Sequence, residues 1–232
     1  MEATDSVYVA LTSRAAWAKR LLLIAGLVDA LAVITGLASY RLADRANSGS
    51  ATFQQFTKAE ARHDLVILTQ MTVYLVTAVV FIRWFHRAYA NLPAIGVEGL
   101  GHGVPWAIGA WFVPVVSLVW PKQMANEIWQ GSDPLLEAEE SRTWRRGKVP
   151  VFIGAWWLAF IASSLLVGAG WELWGDANTY SDIKVAAAIE VTGNAIAVLS
   201  GVLAYVVVDR ASERQQARAA RIAIWRPLAV PL

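Results

Sequence analysis

The chain has 232 residues, of which 56% are apolar and only 16% charged, at a mean hydropathy of +0.44, where a soluble domain carries about a quarter charged residues. It contains no cysteine, so disulfides, thiolate metal sites and cysteine nucleophiles are excluded. A formal charge of +2 is too small for the basic footprint that nucleic-acid binding requires.

A helix crossing about 30 Å of hydrocarbon needs about 20 apolar residues. The first such run, Leu21 to Tyr40, follows an N-terminal arm, residues 1–20, that carries Arg14, Lys19 and Arg20. It lacks a small-x-small cleavage site and reads as a retained anchor, not a signal peptide. The second run, Leu65 to Ile82, lies within Thr52 to Leu92, a stretch without Gly or Pro. That predicts one long helix projecting beyond the bilayer.

Next comes Val104 to Trp120, bounded by Pro105 and Pro121 and interrupted by Pro114, which kinks or breaks a helix. This segment either spans or re-enters. If it spans, the two membrane sides hold 14 and 6 Lys and Arg; if it re-enters, 15 and 5, so charge does not decide. Trp106 and Trp120 would stand roughly 21 Å apart on a continuous helix, as a pair of interfacial belts.

The linker 131–148 switches from acidic (Asp133, Glu137, Glu139, Glu140) to basic (Arg142, Arg145, Arg146, Lys148) and reads as a surface connection. Val149 to Gly170 and Val185 to Val208 complete four runs long enough to span. The tail 209–232 carries Arg210, Arg214, Arg218, Arg221 and Arg226, so the C-terminus is expected in the cytoplasm. The expected fold is an all-α integral membrane bundle of about five hydrophobic helices (21–40, 65–82, 104–120, 149–170 and 185–208).

An ionisable residue within lipid costs at least about 2.5 kcal/mol. Asp29 in the first span and Glu190 in the last meet that description, with Asn194 one turn beyond Glu190. Each acid lies on a face of small residues: Ala25, Gly26, Ala32 and Gly36 around Asp29, and Gly193, Ala197 and Gly201 around Glu190. Small residues permit close helix approach. If the two faces meet, the carboxyl pair would share a proton or hold a cation. Alternatively each acid is bonded to Gln70, Tyr74 or Thr77, on one face of the second span, and fixes packing.

His63 and His86 flank opposite ends of one span, roughly 34 Å apart, so they cannot grip one cofactor. His86 and His102 share a side with Glu98 between them, but no metal or cofactor site is read there. No GxSxG, HExxH, P-loop or GxGxxG motif stands in a suitable context. Most of the twelve tryptophans, among them Trp17, Trp171 and Trp174, lie at span ends; Trp156 and Trp157 lie deeper and are expected to pack.

Two stretches, Arg83-Trp-Phe-His-Arg-Ala-Tyr-Ala-Asn-Leu92 with Gly96, and Gly109-Ala-Trp-Phe-Val-Pro114 continuing to Trp120-Pro121 and Glu127-Ile-Trp129, resemble a bacterial membrane family catalogued as domain of unknown function 4328. The similarity covers roughly residues 60–218. It implies a multi-helix membrane domain, brings no function, and points to Trp84, Arg87, Asn91, Trp111, Pro114, Pro121 and Glu127. These read as a structural clamp, with an Arg87–Glu127 bridge if the middle segment re-enters; if it spans, Arg87 suits a lipid headgroup.

The leading expectation is a non-enzymatic scaffold or accessory subunit of a membrane assembly. The alternative is a small transporter or lipid- or ligand-binding protein with a proton- or cation-linked site at Asp29, Glu190 and Asn194. An enzyme using His86 with Glu98 or Glu127 trails both. Expected partners are the bilayer, anionic headgroups along the basic tail, and a further protein or second copy.

Overall fold

The computed structural model describes residues 7–136 and 144–225, and no strand occurs among them. Glu137, Glu139, Glu140 and Arg142 of the linker, and Arg226 of the tail, lie outside the described residues. Helix α1 (Thr12–Asn47) stops where Gly49 adopts φ 74°, a left-handed geometry that lets its N–H reach back to the Ala46 carbonyl. Helix α2 (Phe53–Ala90) runs 38 residues unbroken, as the absence of Gly and Pro predicts.

Two short helices follow, α3 (Trp106–Gly109) and α4 (Trp120–Gly131), the latter opening with Pro121 in its first turn, where a missing N–H does no harm. Helix α5 (Val151–Gly175) precedes α6 (Tyr180–Trp225), whose start is a capping box. There the Asp182 N–H donates to Thr179 Oγ1 and the Thr179 N–H donates to Asp182 Oδ2.

Helices α1, α2, α5 and α6 are long and apolar enough to cross a membrane. Only 17% of the most apolar window of α2 and 33% of that of α5 is buried inside the protein, so hydrocarbon must solvate the rest. Leu27, Leu68, Leu75, Leu158 and Leu165 are 63–72% exposed. An aqueous fold would bury such residues.

The middle segment does not form a fifth span. Val104 to Trp120 breaks into α3, a turn through Pro114, and a 3-10 turn at Val116–Leu118. Val115 sits at φ 66°, an unfavourable geometry for a β-branched residue. The ends of the segment meet: the Trp106 and Trp120 rings are 4.8 Å apart, edge to face, and His102 Nε2 lies 3.0 Å from Gln123 Oε1. A crossing helix would hold those tryptophans about 21 Å apart, so the belt reading is overturned and the segment turns back on itself.

The chain packs as two compact units, one of Met1–Arg20, Ala78–Gly154 and Tyr205–Leu232, the other of Leu21–Thr77 and Ala155–Ala204. In the second unit α1, α5 and α6 approach one another closely at glycines. A Cβ on Gly36 would lie 2.7 Å from Val191, and one on Gly193 would lie 2.9 Å from the Val167 backbone. In the first unit Trp84, Phe85, Tyr89, Leu92 and Ile95 form a core with Met124 and Ile128, all at most 2% exposed.

Because the protein has no cysteine, topology is directly measurable. Single cysteines at Glu98 and Leu135, labelled with a membrane-impermeant maleimide, are expected to react from the same side. Labelling from opposite sides would restore the crossing segment.

Candidate functional site

In the second unit, the polar residues singled out in sequence fall into one hydrogen-bonded group. Asp29 (α1), Gln70 (α2), Glu190 and Asn194 (α6) are 2–5% exposed. Gln70 Nε2 donates to Asp29 Oδ1 at 3.1 Å and to Asn194 Oδ1 at 2.7 Å, so one amide joins three helices. The Tyr74 hydroxyl also donates to Asp29 Oδ1, and Asn194 Nδ2 donates to the Glu190 carbonyl. The Glu190 carboxylate faces His63, with Nε2 at 3.0 Å from Oε2, and the imidazole stacks on Trp174 at 4.0 Å.

Asp29 and Glu190 do not share a proton directly: each has its own partners, and Gln70 and Asn194 stand between. Thr77 donates to the Val73 carbonyl of its own helix. Helix α5 packs tightly against Glu190, since a Cβ on Gly170 would lie 2.3 Å from its Cγ. His63 did not emerge from its position near a span end. The signal was present nonetheless, because His63, Gln70, Tyr74 and Thr77 follow the helical spacing of a single face of α2.

In the first unit, the residues marked by the family resemblance form a clamp, though not the expected one. Glu127, 8% exposed, accepts from the Tyr89 hydroxyl at 2.6 Å, the Gly101 N–H at 3.0 Å and Arg145 Nη2 at 3.1 Å. Gly101 leaves room for it, because a Cβ there would lie 2.7 Å from Glu127 Oε1. The expected Arg87–Glu127 bridge is absent: Arg87 Nη2 donates to the Val7 carbonyl at 2.8 Å. Tyr89, half a turn from Arg87, is the residue of α2 that faces α4.

Asn91 is fully buried and holds the N-terminal segment like a neighbouring strand. It accepts from the Val9 N–H and donates to the Val9 carbonyl and to Gln215 Oε1. Burial beside this contact pushes the Tyr8 phenol above its ordinary range, against the opposing pull of the Arg87 charge. Trp84 Nε1 donates to Ser212 Oγ at 2.9 Å, and Trp111 packs edge-on against Phe81 and Phe85. Pro121 is buried in the first turn of α4, and Pro114 lies in the turn of the middle segment.

The basic tail is largely held within this unit. Arg218 donates to the Ile95 and Asp133 carbonyls, Arg221 to the Pro134 carbonyl, and Arg214 pairs with Asp133 at 3.0 Å. Arg210 pairs with Glu213. Among the described residues no group of three or more His, Asp or Glu could hold a metal ion.

The family described as Domain of unknown function (DUF4328) matches residues 47–213 of the chain. The chain belongs to this family. Comparison with curated proteins and with solved structures gave no match. The region matched to DUF4328 contains the whole Glu127 clamp and, of the polar group in the second unit, every member except Asp29.

Replacing Glu127 by Ala leaves the Gly101 N–H without an acceptor and the Tyr89 hydroxyl with only the His102 carbonyl, at 3.1 Å. We expect a loss of about 2–4 kcal/mol in unfolding free energy in detergent, and about 1 kcal/mol for Tyr89→Phe. Equal small losses for both would show that Glu127 does not organise this unit.

Proposed function

We propose that this DUF4328 protein is a multi-pass, non-enzymatic membrane component, a scaffold or accessory subunit that presents a fixed helical surface to other proteins of the membrane or cytoplasm. One observation carries the reading. Ionisable and amide side chains buried in its apolar helices bond one another, beside tight glycine contacts between those helices. Such a group of contacts holds helices in register.

Orientation is part of the proposal. Of the 20 Lys and Arg, 15 lie in the stretches that make up the first unit, which supports a cytoplasmic C-terminus by the positive-inside rule. The tail beyond Asp209 then meets cytoplasmic partners.

A second reading draws on the same contacts. From His63 through Glu190, Asn194 and Gln70 to Asp29 and Tyr74, polar groups follow one another across three helices. A proton- or cation-linked transporter would use such a series.

Proton flux into liposomes containing the purified full chain and an entrapped pH dye separates the two. The scaffold reading expects flux no greater than in protein-free liposomes, with Asp29→Asn and Glu190→Gln without effect. Flux that depends on a pH gradient and is abolished by either substitution would replace the scaffold with the transporter.

A further inference from the structure

A groove in the first unit stands apart from the clamp. It encloses about 390 Å³ and is lined by Ser13, Arg14 and Trp17 from the start of α1 and by Val79, Val80 and Arg83 from α2. Charge and hydrocarbon meet in it at a defined level. The apolar run of α1 begins at Leu21 and that of α2 ends at Ile82, so both arginines sit where hydrocarbon gives way to headgroups. Trp17, 55% exposed, is the residue type that settles at that boundary.

Positive charge gathers here without a compensating carboxylate among the described residues. Neither Arg14 nor Arg83 pairs with a carboxylate among the described residues. Arg14 repels Arg87, and Arg20 stands over the Trp17 ring at 5.2 Å. By contrast Lys19, one residue before Arg20, is neutralised by Asp209 at 2.6 Å. A cluster of guanidinium groups left unpaired beside an apolar wall calls for an anion that itself carries hydrocarbon.

We propose that this groove binds the phosphate of an anionic glycerophospholipid, with Arg14 and Arg83 on the headgroup and Val79 and Val80 against the first carbons of an acyl chain. The planar fork of arginine matches phosphate oxygens in a way an ammonium does not. The Ser13 hydroxyl supplies a further donor. Val79 and Val80 precede Arg83 by about one turn, within the apolar run, so an acyl chain leaving the headgroup runs along α2 in the direction of the span. A free inorganic anion would gain nothing from them. The site is separate from the arginines of the tail and does not depend on the scaffold reading.

Native mass spectrometry of the full chain in a neutral detergent tests this, with phosphatidylglycerol and phosphatidylcholine of identical acyl chains as the probes. Phosphatidylglycerol is expected to bind about tenfold or more tightly than phosphatidylcholine, the scale of one charge-assisted contact. The Arg14→Gln, Arg83→Gln double variant should erase that preference, while Arg210→Gln should keep it. Hydrogen exchange on the unmodified protein locates the site even if the double variant fails to fold: phosphatidylglycerol should slow residues 12–20 and 78–84 more than phosphatidylcholine does. Equal binding of the two lipids, a preference that survives in the double variant, or protection elsewhere would overturn the proposal. Displacement of phosphatidylglycerol by millimolar inorganic phosphate would assign the groove to free phosphate instead.

Discussion

A buried amide that reaches two helices at once is the element on which the second unit depends. Gln70 has two amide protons, and both are used, one on Asp29 of α1 and one on Asn194 of α6. In water such bonds are nearly neutral, because solvent replaces them when they break. Here the outward faces of the same helices are leucine-rich and exposed, and hydrocarbon offers no replacement partner. The polar groups are therefore confined to one another. Glycine contacts at Gly36, Gly170 and Gly193 bring the backbones close enough for short side chains to meet.

The first unit solves a different problem by similar means. Its helices are joined by long irregular connections, and buried loops carry backbone groups that need partners. Glu127, Asn91, Gln215 and Arg218 provide them: Glu127 caps the Gly101 N–H, Asn91 satisfies both backbone groups of Val9, Gln215 donates to Ala88, and Arg218 donates to Ile95 and Asp133. Each of these side chains bonds the backbone, and Glu127, Asn91 and Gln215 bond other side chains as well. The proposed scaffold role would require such fixity, since a surface that must be recognised by another protein gains affinity when it is held in place beforehand.

How far the sequence discloses this depends on the range of the interaction. Spans declare themselves because hydrocarbon imposes length and composition, and the unbroken α2 follows from its lack of Gly and Pro. The placement of Asp29 against Gln70 and Tyr74 is legible from helical periodicity. His63 is not, because a histidine near a span end looks interfacial until the face it shares with Gln70 is traced two turns back. Glu127 shows the limit more sharply: Arg87, Arg145 and Tyr89 are all chemically suitable partners, and only the loop through Gly101 decides among them. Trp106 and Trp120 have the spacing of a belt pair, yet Pro114 folds the chain between them and their rings touch.

Buried side chains couple the helices of the second unit. A double-mutant cycle on Gln70→Leu and Asn194→Leu, read by reversible unfolding in mixed detergent micelles, measures that coupling. We expect the two losses to be non-additive by about 0.6–1.7 kcal/mol, the scale of interhelical hydrogen bonds in membranes. Strict additivity would mean that the amide bridge contributes nothing to holding the helices, and the second unit would owe its cohesion to apolar packing alone.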